Sequence, residues 1–331
     1  MAGDIAVTGA MGFIGGHVVR QLNQSGYRVR ALVRPGPDAR PVAPGDVRQV
    51  MLTNETDVAA ALEGVSTVIH LAGRAHRASG LSVAELSALR RDNVEATQVL
   101  AHAARRSGVA RFVFVSSIGA VTTSSVSLVT DGHIPQPDTL YGRTKLEAEE
   151  VVRAAGAARA LEVVILRPPM VFGPGMKGNP LRLFEAVCRG TALPLAAIRN
   201  RRSFMYVGTL AAAILRSVES PNVVGQTFGL SDGTPMSTPD FVRSVATALG
   251  VNVRLFAMPV PLLEALGFLG DVLSRVGHAP LTSQTVRGLT RSLVVDDSRF
   301  REATGFDVRV PTPAALASTA EWFLVHRGSR P

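Results

Sequence analysis

A glycine turn near the start of the chain constrains the fold more than any other feature. Thr8-Gly9-Ala10-Met11-Gly12-Phe13-Ile14-Gly15 follows the short apolar run Asp4 to Thr8 and leads into a helical pattern from Gly15 to Ser25. Gly9 permits a tight turn, Gly12 lets backbone approach a pyrophosphate, and Gly15 lets the helix pack closely on the strand. The helix N-terminus then offers its N–H groups to an anion. Placed between a strand and a helix, the turn is a candidate dinucleotide-binding loop, with Met11, Phe13 and Ile14 supplying backbone between the glycines.

The chain beyond it keeps alternating. Strand patterns occupy Tyr27 to Val33, Val47 to Leu52, Thr67 to Ala72, Arg111 to Ser116 and Leu161 to Leu166, with helical patterns over Val58 to Leu62, Val83 to Ser107 and Tyr141 to Ala155. Such alternation implies a parallel sheet covered on both faces. After Pro168 the texture changes: prolines and glycines cluster up to Pro180, a helix follows near Leu181 to Arg189, and a strand pattern returns at Ser203 to Val207. From about Met236 the chain reads as helical, with starts at Thr238-Pro239 and at Pro259 to Pro261. The expected fold is α/β, a Rossmann-type doubly wound parallel sheet with a smaller, mostly helical C-terminal substrate lobe. The expected boundaries are 1–170 for the dinucleotide-binding domain, with a returning segment at about 203–232, and 171–202 with 233–331 for the lobe.

Composition narrows the function classes. Hydrophobic residues make up 46% and charged residues 18% of the 331, which supports a sizeable core and argues against disorder. Met1-Ala2-Gly3-Asp4 leads straight into an apolar strand, without the basic and apolar regions of a secretory leader. The stretch Phe256 to Leu273 is interrupted by Pro259, Pro261, Glu264, Gly267, Gly270 and Asp271, so neither a membrane span nor stable insertion is expected. Cys188 is the only cysteine, which excludes an internal disulfide and fits a reducing cytoplasm. Lys and Arg number 35 against 26 Asp and Glu, a net charge of +9. The densest basic clusters, Arg74 to Arg77 and Arg199 to Arg202, lack interleaved aromatics, and no nucleic-acid motif accompanies them. A phosphorylated cofactor and substrate account for the balance better than nucleic acid does.

The end of the second strand bears on cofactor choice. An Asp or Glu there accepts hydrogen bonds from an adenosine ribose, whereas this chain has Val33-Arg34, with Arg40 nearby. A guanidinium attracts a 2′-phosphate and can bind it through two hydrogen bonds, so Arg34 favours NADP(H), with NAD(H) the alternative.

Tyr141-Gly142-Arg143-Thr144-Lys145 starts a helix and puts Tyr141 and Lys145 on one face, one turn apart. A free phenol titrates at about pH 10, too high for an efficient base at neutral pH. A neighbouring ammonium and an oxidised nicotinamide both favour the phenolate. Lys145 can also hold the nicotinamide ribose. Ser117 lies just past the strand Arg111 to Ser116, 24 residues before Tyr141, and is preferred to Ser116 as the hydroxyl facing the reacting oxygen. No metal site is expected.

These residues resemble the extended short-chain dehydrogenase/reductase superfamily, in its nucleotide-sugar epimerase and dehydratase branch, over nearly the whole chain. His70-Leu71-Ala72-Gly73 is similar to the branch's HLAA strand end along the cofactor, and Asn93 with Thr97 to its Asn-x-x-x-Thr signature. Arg167-Pro168-Pro169-Met170-Val171-Phe172-Gly173-Pro174-Gly175 resembles its RPxxxxGPG segment, which places Pro168 and Val171 near the nicotinamide. The resemblance further implies sugar-nucleotide contacts from Asn179, a diphosphate contact from Arg202, and a second clamp from Arg287 or Arg291. It also implies a homodimer formed through the Val83 to Ser107 and Tyr141 to Ala155 helices. Within the branch, Phe112 to Ile118 and Leu193 to Ser203 look most similar to bacterial UDP-hexose 4-ketoreductases and related 4-epimerases of O-antigen and capsule assembly.

Departures are visible. Met51-Leu52 stands where most of the branch has Asp-Leu, and Gly208-Thr209 replaces the Asp that follows the diphosphate arginine's strand. Ile118-Gly119-Ala120-Val121 lacks the bulkier polar residues often found after the catalytic serine. The dehydratase glutamate beside Ser117 is absent, which argues against 4,6-dehydration. The activity implied is reduction of the C4 ketone of a UDP-4-keto-6-deoxy-N-acetylhexosamine. The alternatives are a UDP-sugar 4-epimerase holding NAD, or a reductase of a non-nucleotide carbonyl.

Overall fold

The apolar runs alternate with helices because each strand is buried on both faces, and the computed structural model shows how the layers close. It describes residues 3–36, 46–74, 83–157, 161–273, 281–307 and 309–327; Arg40, His76 and Arg77 lie outside them. The first half contains β1 (Asp4–Thr8), α1 (Phe13–Gln24), β2 (Val29–Val33), β3 (Asp46–Gln49), α2 (Glu55–Ala61), β4 (Val65–His70), α3 (Val83–Arg90), α4 (Ala96–Arg106), β5 (Arg111–Val115), β6 (Leu128–Val129), α5 (Leu140–Gly156) and β7 (Glu162–Arg167). The remainder contains β8 (Met170–Phe172), α6 (Asn179–Cys188), β9 (Phe204–Tyr206), α7 (Val207–Glu219), β10 (Gln226–Gly229), α8 (Thr238–Leu249), α9 (Val260–Leu273), α10 (Ser283–Thr290), β11 (Val294–Val295), α11 (Ser298–Thr304) and α12 (Thr312–His326).

Seven strands form one parallel sheet in the order β10-β7-β5-β4-β1-β2-β3. This is the expected doubly wound architecture, with the order reversing between β1 and β4. Alternate residues feed opposite cores, as the two-residue period of a strand requires. Ile69 and Val113 join α1 and α7 through Val18, Leu210 and Ile214. Val68, Phe112 and Phe114 face the other way, toward α4 and α5 through Leu100, Ala104, Ala148 and Val152.

The single helix expected over Val83 to Ser107 is broken by a π-helical turn at Arg91–Glu95, between α3 and α4. The strand expected at Ser203 to Val207 shortens to β9 and pairs with β8 rather than joining the main sheet, while Val207 opens α7. The edge beside β7 is taken by β10 instead. A third core, around Phe172, Phe184, Phe204 and Phe241, unites α6, α8 and α12 in the C-terminal lobe. α8 begins at the expected Thr238-Pro239, where the Ser237 hydroxyl caps the helix by accepting from the Asp240 amide at 3.1 Å. α11 returns to the first layer, where Phe300 and Phe306 pack with Phe228. Among the described residues no helix is long and apolar enough to cross a membrane.

Candidate active site

Ligands of doubly wound sheets lie beyond the carboxyl ends of the strands, at the point where the strand order reverses. Here that point is the space beyond β1 and β4. Gly9 has φ +66°, and a Cβ there would meet the Ala72 amide nitrogen at 2.9 Å, so the turn and the end of β4 are in backbone contact. A Cβ on Gly12 would approach the Gly9 carbonyl at 3.0 Å, and one on Gly15 would collide with the same oxygen. No side chain caps α1, whose N-cap is Gly12. This bare, close-packed helix N-terminus fits the pyrophosphate of a dinucleotide.

Thr8 ties the two strand ends together. Its hydroxyl accepts from the Leu71 and Ala72 amides, both at 3.1 Å, and bonds His70 Nδ1 at 2.7 Å. His70 Nε2 in turn meets the Thr97 hydroxyl at 2.8 Å. Burial first, and the charge of Lys145 second, pull the His70 pKa down to about 3, so the ring is a neutral strut between β1 and α4. The Asn-x-x-x-Thr spacing has the same cause: Thr97 donates one turn back to the Asn93 carbonyl at 2.7 Å. The buried Asn93 amide is committed within the protein. It accepts from the Arg74 amide at 2.7 Å and donates to the Arg74 carbonyl at 3.1 Å and to the Thr144 hydroxyl at 3.0 Å. Asn93 thereby joins the turn after β4, which includes Gly73, to α5. The π-helical turn sets it at that junction.

α5 starts at a Thr139 cap, whose hydroxyl accepts from the Gly142 amide at 3.0 Å. Gly142 is required by proximity, since a Cβ there would run into the carbonyl oxygen of Gly119. That contact brings Tyr141 to the 3₁₀ turn Ile118–Ala120 after β5, where Ser117 serves as N-cap and accepts from the Gly119 amide at 3.1 Å. The Ser117 hydroxyl lies near enough to the Tyr141 phenol to favour its ionised form. Ser116 faces away, donating to the Glu149 carboxylate at 2.6 Å. The geometry therefore brings Ser117, not Ser116, to the tyrosine.

Lys145 departs from the expected arrangement. Its ammonium donates to the Val115 carbonyl at 2.9 Å and lies 4.1 Å from the centre of the Phe114 ring. Burial pulls its pKa down to about 7, against the opposing charge of Glu149. Burial also pushes the Tyr141 phenol above its ordinary value, while the Ser117 hydroxyl works toward the phenolate. A buried ammonium without water takes the nearest carbonyl, here that of β5.

Glu149, two turns beyond Tyr141, was not foreseen. Fully buried, it accepts from Arg167 Nε at 2.9 Å and Nη2 at 2.6 Å, and from Arg153 at 2.7 Å. Arg167 closes β7 directly after the buried apolar run Val163 to Leu166. A charged residue in such a place needs a buried partner, and that was the available signal.

Around the cleft, Ile118 donates to the Pro168 carbonyl at 2.9 Å and His17 bonds the Pro174 carbonyl at 2.8 Å, so Pro168 to Gly175 runs between β5 and α1. Val171 is half-buried in β8. At the far end Arg34 is exposed and pairs at 3.4 Å with Asp92, which Arg74 also binds at 2.8 Å. Burial opposes ionisation of Asp92, yet Arg74, helped by Arg34 and Arg91, holds its pKa below the ordinary value. Asp92 was not foreseen either.

The lobe residues are less tightly held. Asn179 is exposed at the start of α6, after Gly178 with φ +69°. Arg202 bridges to Met236 and Leu293, and its guanidinium donates to the Arg291 carbonyl at 2.7 Å. Burial lowers its pKa to about 10, which leaves it charged at neutral pH. Arg287 is exposed on α10 and lines a cleft with Arg291, Glu264 and Ser283. Arg291 itself is paired with Glu264 at 2.7 Å. Among the described residues no cluster of His, Cys, Asp and Glu is arranged to hold a metal ion.

Comparison with known proteins agrees with this geometry. Residues 5–229 match the profile of the NAD dependent epimerase/dehydratase family. A UDP-glucose 4-epimerase of Vibrio cholerae is 33% identical, over 98% of this chain and 96% of its own. A ceramide reductase of Caulobacter vibrioides is 30% identical, over 97% and 94%. Among solved structures, MoeE5 in complex with UDP-glucuronic acid and NAD superposes with a TM-score of 0.76 at 28% identity, covering 99% of this chain and 100% of that one.

Proposed function

The chain belongs to the NAD dependent epimerase/dehydratase family of NAD(P)-dependent enzymes, and we propose that it reduces the C4 ketone of a UDP-4-keto-6-deoxy-N-acetylhexosamine with NADPH. The observation that carries this reading is the packing of Tyr141 against Ser117 at the mouth of β5, with Lys145 one turn behind it and the glycine turn across the same switch point.

The glycine cradle fits the dinucleotide. The backbone of Gly9, Met11, Gly12, Phe13, Ile14 and Gly15 would hold its pyrophosphate, Leu71, Ala72 and Gly73 would line its path, and Pro168 and Val171 would border its nicotinamide. When bound, the reduced cofactor supplies hydride to the sugar carbon. Ser117 donates to the ketone oxygen and polarises it, and Tyr141 delivers its proton to that oxygen as the carbon is reduced. A phenol kept protonated by burial suits an acid in this direction. Lys145 steadies the phenolate left behind, and Asn93 acts as a positioning residue through Thr144 and the turn at Arg74. Arg202 and Arg287 hold the diphosphate and Asn179 the sugar nucleotide, which fixes the reacting carbon. A homodimer paired through α3, α4 and α5 belongs to the same reading.

A second reading, a UDP-sugar 4-epimerase that retains NAD, is favoured by one observation: Asp92 pairs with Arg34 and so reduces its pull on a 2′-phosphate. It also accords with the names of the Vibrio relative and of the MoeE5 complex.

One assay separates the readings. Purified enzyme mixed with NADPH and the UDP-4-keto sugar consumes NADPH if the first is correct. Epimerised UDP-sugar without added cofactor establishes the second. Neither outcome, with tight NADPH binding, points to a non-nucleotide carbonyl, as in the relative named a ceramide reductase. Tyr141→Phe is expected to slow turnover by about 10²–10⁴-fold and to spare cofactor binding. Full activity in that variant would remove Tyr141 from the mechanism.

A further inference from the structure

Away from the cleft, α9 presents an apolar face that nothing among the described residues covers. Of the 14 residues of α9 only Glu264 and Asp271 are charged, and both turn toward α10: Glu264 accepts from Arg291 at 2.7 Å and Asp271 from the Ser283 amide at 3.2 Å. The buried side is Leu263, Gly267 and Gly270. A Cβ on Gly267 would meet Val286 at 3.0 Å, and one on Gly270 would strike the Leu281 carbonyl, so glycines let α9 press onto the segment that carries α10. Everything turned outward is apolar. Phe268 is 65% exposed, Leu273 62%, Leu269 56% and Leu262 50%, with Val272 and Leu266 beside them.

The size of this face decides its occupant. At 1.5 Å per residue α9 is about 21 Å long, and with a width of about 10 Å it offers on the order of 200 Å². A stable dimer needs about 800 Å² from each partner. The helix is also shorter than the roughly 20 residues of a membrane span. A short helix whose outward side is wholly apolar can bury that side in the headgroup and acyl boundary of a lipid interface, here without a basic polar face of its own. Charge agrees: the chain carries +9, and the exposed Arg287 stands on the adjoining α10, while Arg291 just beyond it neutralises Glu264. Anionic lipid surfaces attract such groups.

We propose that α9 docks this protein on the surface of an anionic lipid bilayer. The proposal goes beyond the catalytic reading, and its test does not depend on turnover.

The full chain is mixed with sucrose-loaded vesicles of phosphatidylglycerol and phosphatidylcholine, and with vesicles of phosphatidylcholine alone, then sedimented. Binding to the anionic vesicles is expected, weaker binding to the neutral ones, and loss by about tenfold or more in Phe268→Glu/Leu269→Glu. That variant is expected to keep the wild-type melting temperature, NADPH affinity and sedimentation coefficient. Ala265→Trp, on the same exposed face, is expected to bind more tightly, a gain that misfolding cannot imitate. Wild-type protein left in the supernatant, or equal binding by the charged variant, overturns the proposal. A fall in oligomeric mass in Phe268→Glu/Leu269→Glu also overturns it, by assigning the face to a second copy of the chain.

Discussion

Two arginine–carboxylate groups occupy opposite ends of the cleft, with similar chemistry and opposite burial. At the catalytic end Glu149 is fully buried and Arg167 is 4% exposed, their bonds as short as 2.6 Å. At the other end, beyond β2, Asp92 is 11% exposed, while Arg34 and Arg74 are 70% and 46% exposed. Burial turns the first into a fixed strut, because a charge deprived of water is very costly once its partner is removed. The second exchanges partners with solvent and ligand at little cost, since exposed pairs contribute about 0–1 kcal/mol. The Tyr141 end of the cleft is thus held rigid, and the Arg34 end is left adjustable.

The sharpest way to break this contrast is Glu149→Gln. It leaves Arg167 buried without its counter-charge and deprives the Ser116 hydroxyl of a charged acceptor. A loss of about 3–5 kcal/mol in unfolding free energy is expected, read by chemical denaturation. A loss under about 1 kcal/mol would show that the catalytic end is no more rigid than the other.

The same carboxylate sharpens the comparison through pH. Glu149 raises the Lys145 pKa against burial, which pulls it down to about 7. With an unfolded value near 10.5, the folded protein binds fewer protons than the unfolded chain between about pH 7 and 10.5, so this residue's share of stability increases as pH rises through that window. Below about pH 7 the folded protein carries the full penalty of a buried ammonium. Glu149→Gln is expected to move the Lys145 midpoint lower still, as followed by NMR of labelled lysine side chains. An unchanged or higher midpoint would mean that Glu149 does not act on Lys145.

This contrast also explains what the residues revealed in advance. Tyr141 and Lys145 were legible because one helical turn joins them, and the glycine turn because strand, turn and helix are contiguous. Glu149 and Asp92 were not, because their partners Arg167, Ser116 and Arg34 come from other elements and only the closed sheet brings them together. The carbonyl that captures Lys145 has no signature in the side-chain sequence. The π-helical turn at Arg91–Glu95 escaped because one inserted residue does not disturb a helical pattern read over a wide window. β6, β8 and β11 have two or three residues each, too few to establish a period. β10, Gln226-Thr227-Phe228-Gly229, has a single large apolar residue and becomes a strand by pairing with β7.

The smallest effect is expected at the adjustable end, and it concerns selectivity rather than stability. Arg34→Ala is expected to leave the melting temperature nearly unchanged, since Arg34 is exposed and 3.4 Å from Asp92, and Asp92→Asn to lower it only slightly, since the arginines around it are exposed. Their effects on cofactor affinity are expected to be opposite in sign. Without Arg34 the 2′-phosphate loses a charge-assisted contact, and NADPH weakens by about tenfold or more while NADH does not. Without the Asp92 charge the guanidinium is released toward the ligand and a repulsion of the phosphate disappears, so NADPH tightens by about threefold and NADH again changes little. Fluorescence titration of both dinucleotides against both variants measures this. If each variant moved NADPH and NADH equally, Arg34 would not be reading the phosphate, and the retained-NAD epimerase would become the better account of the chain.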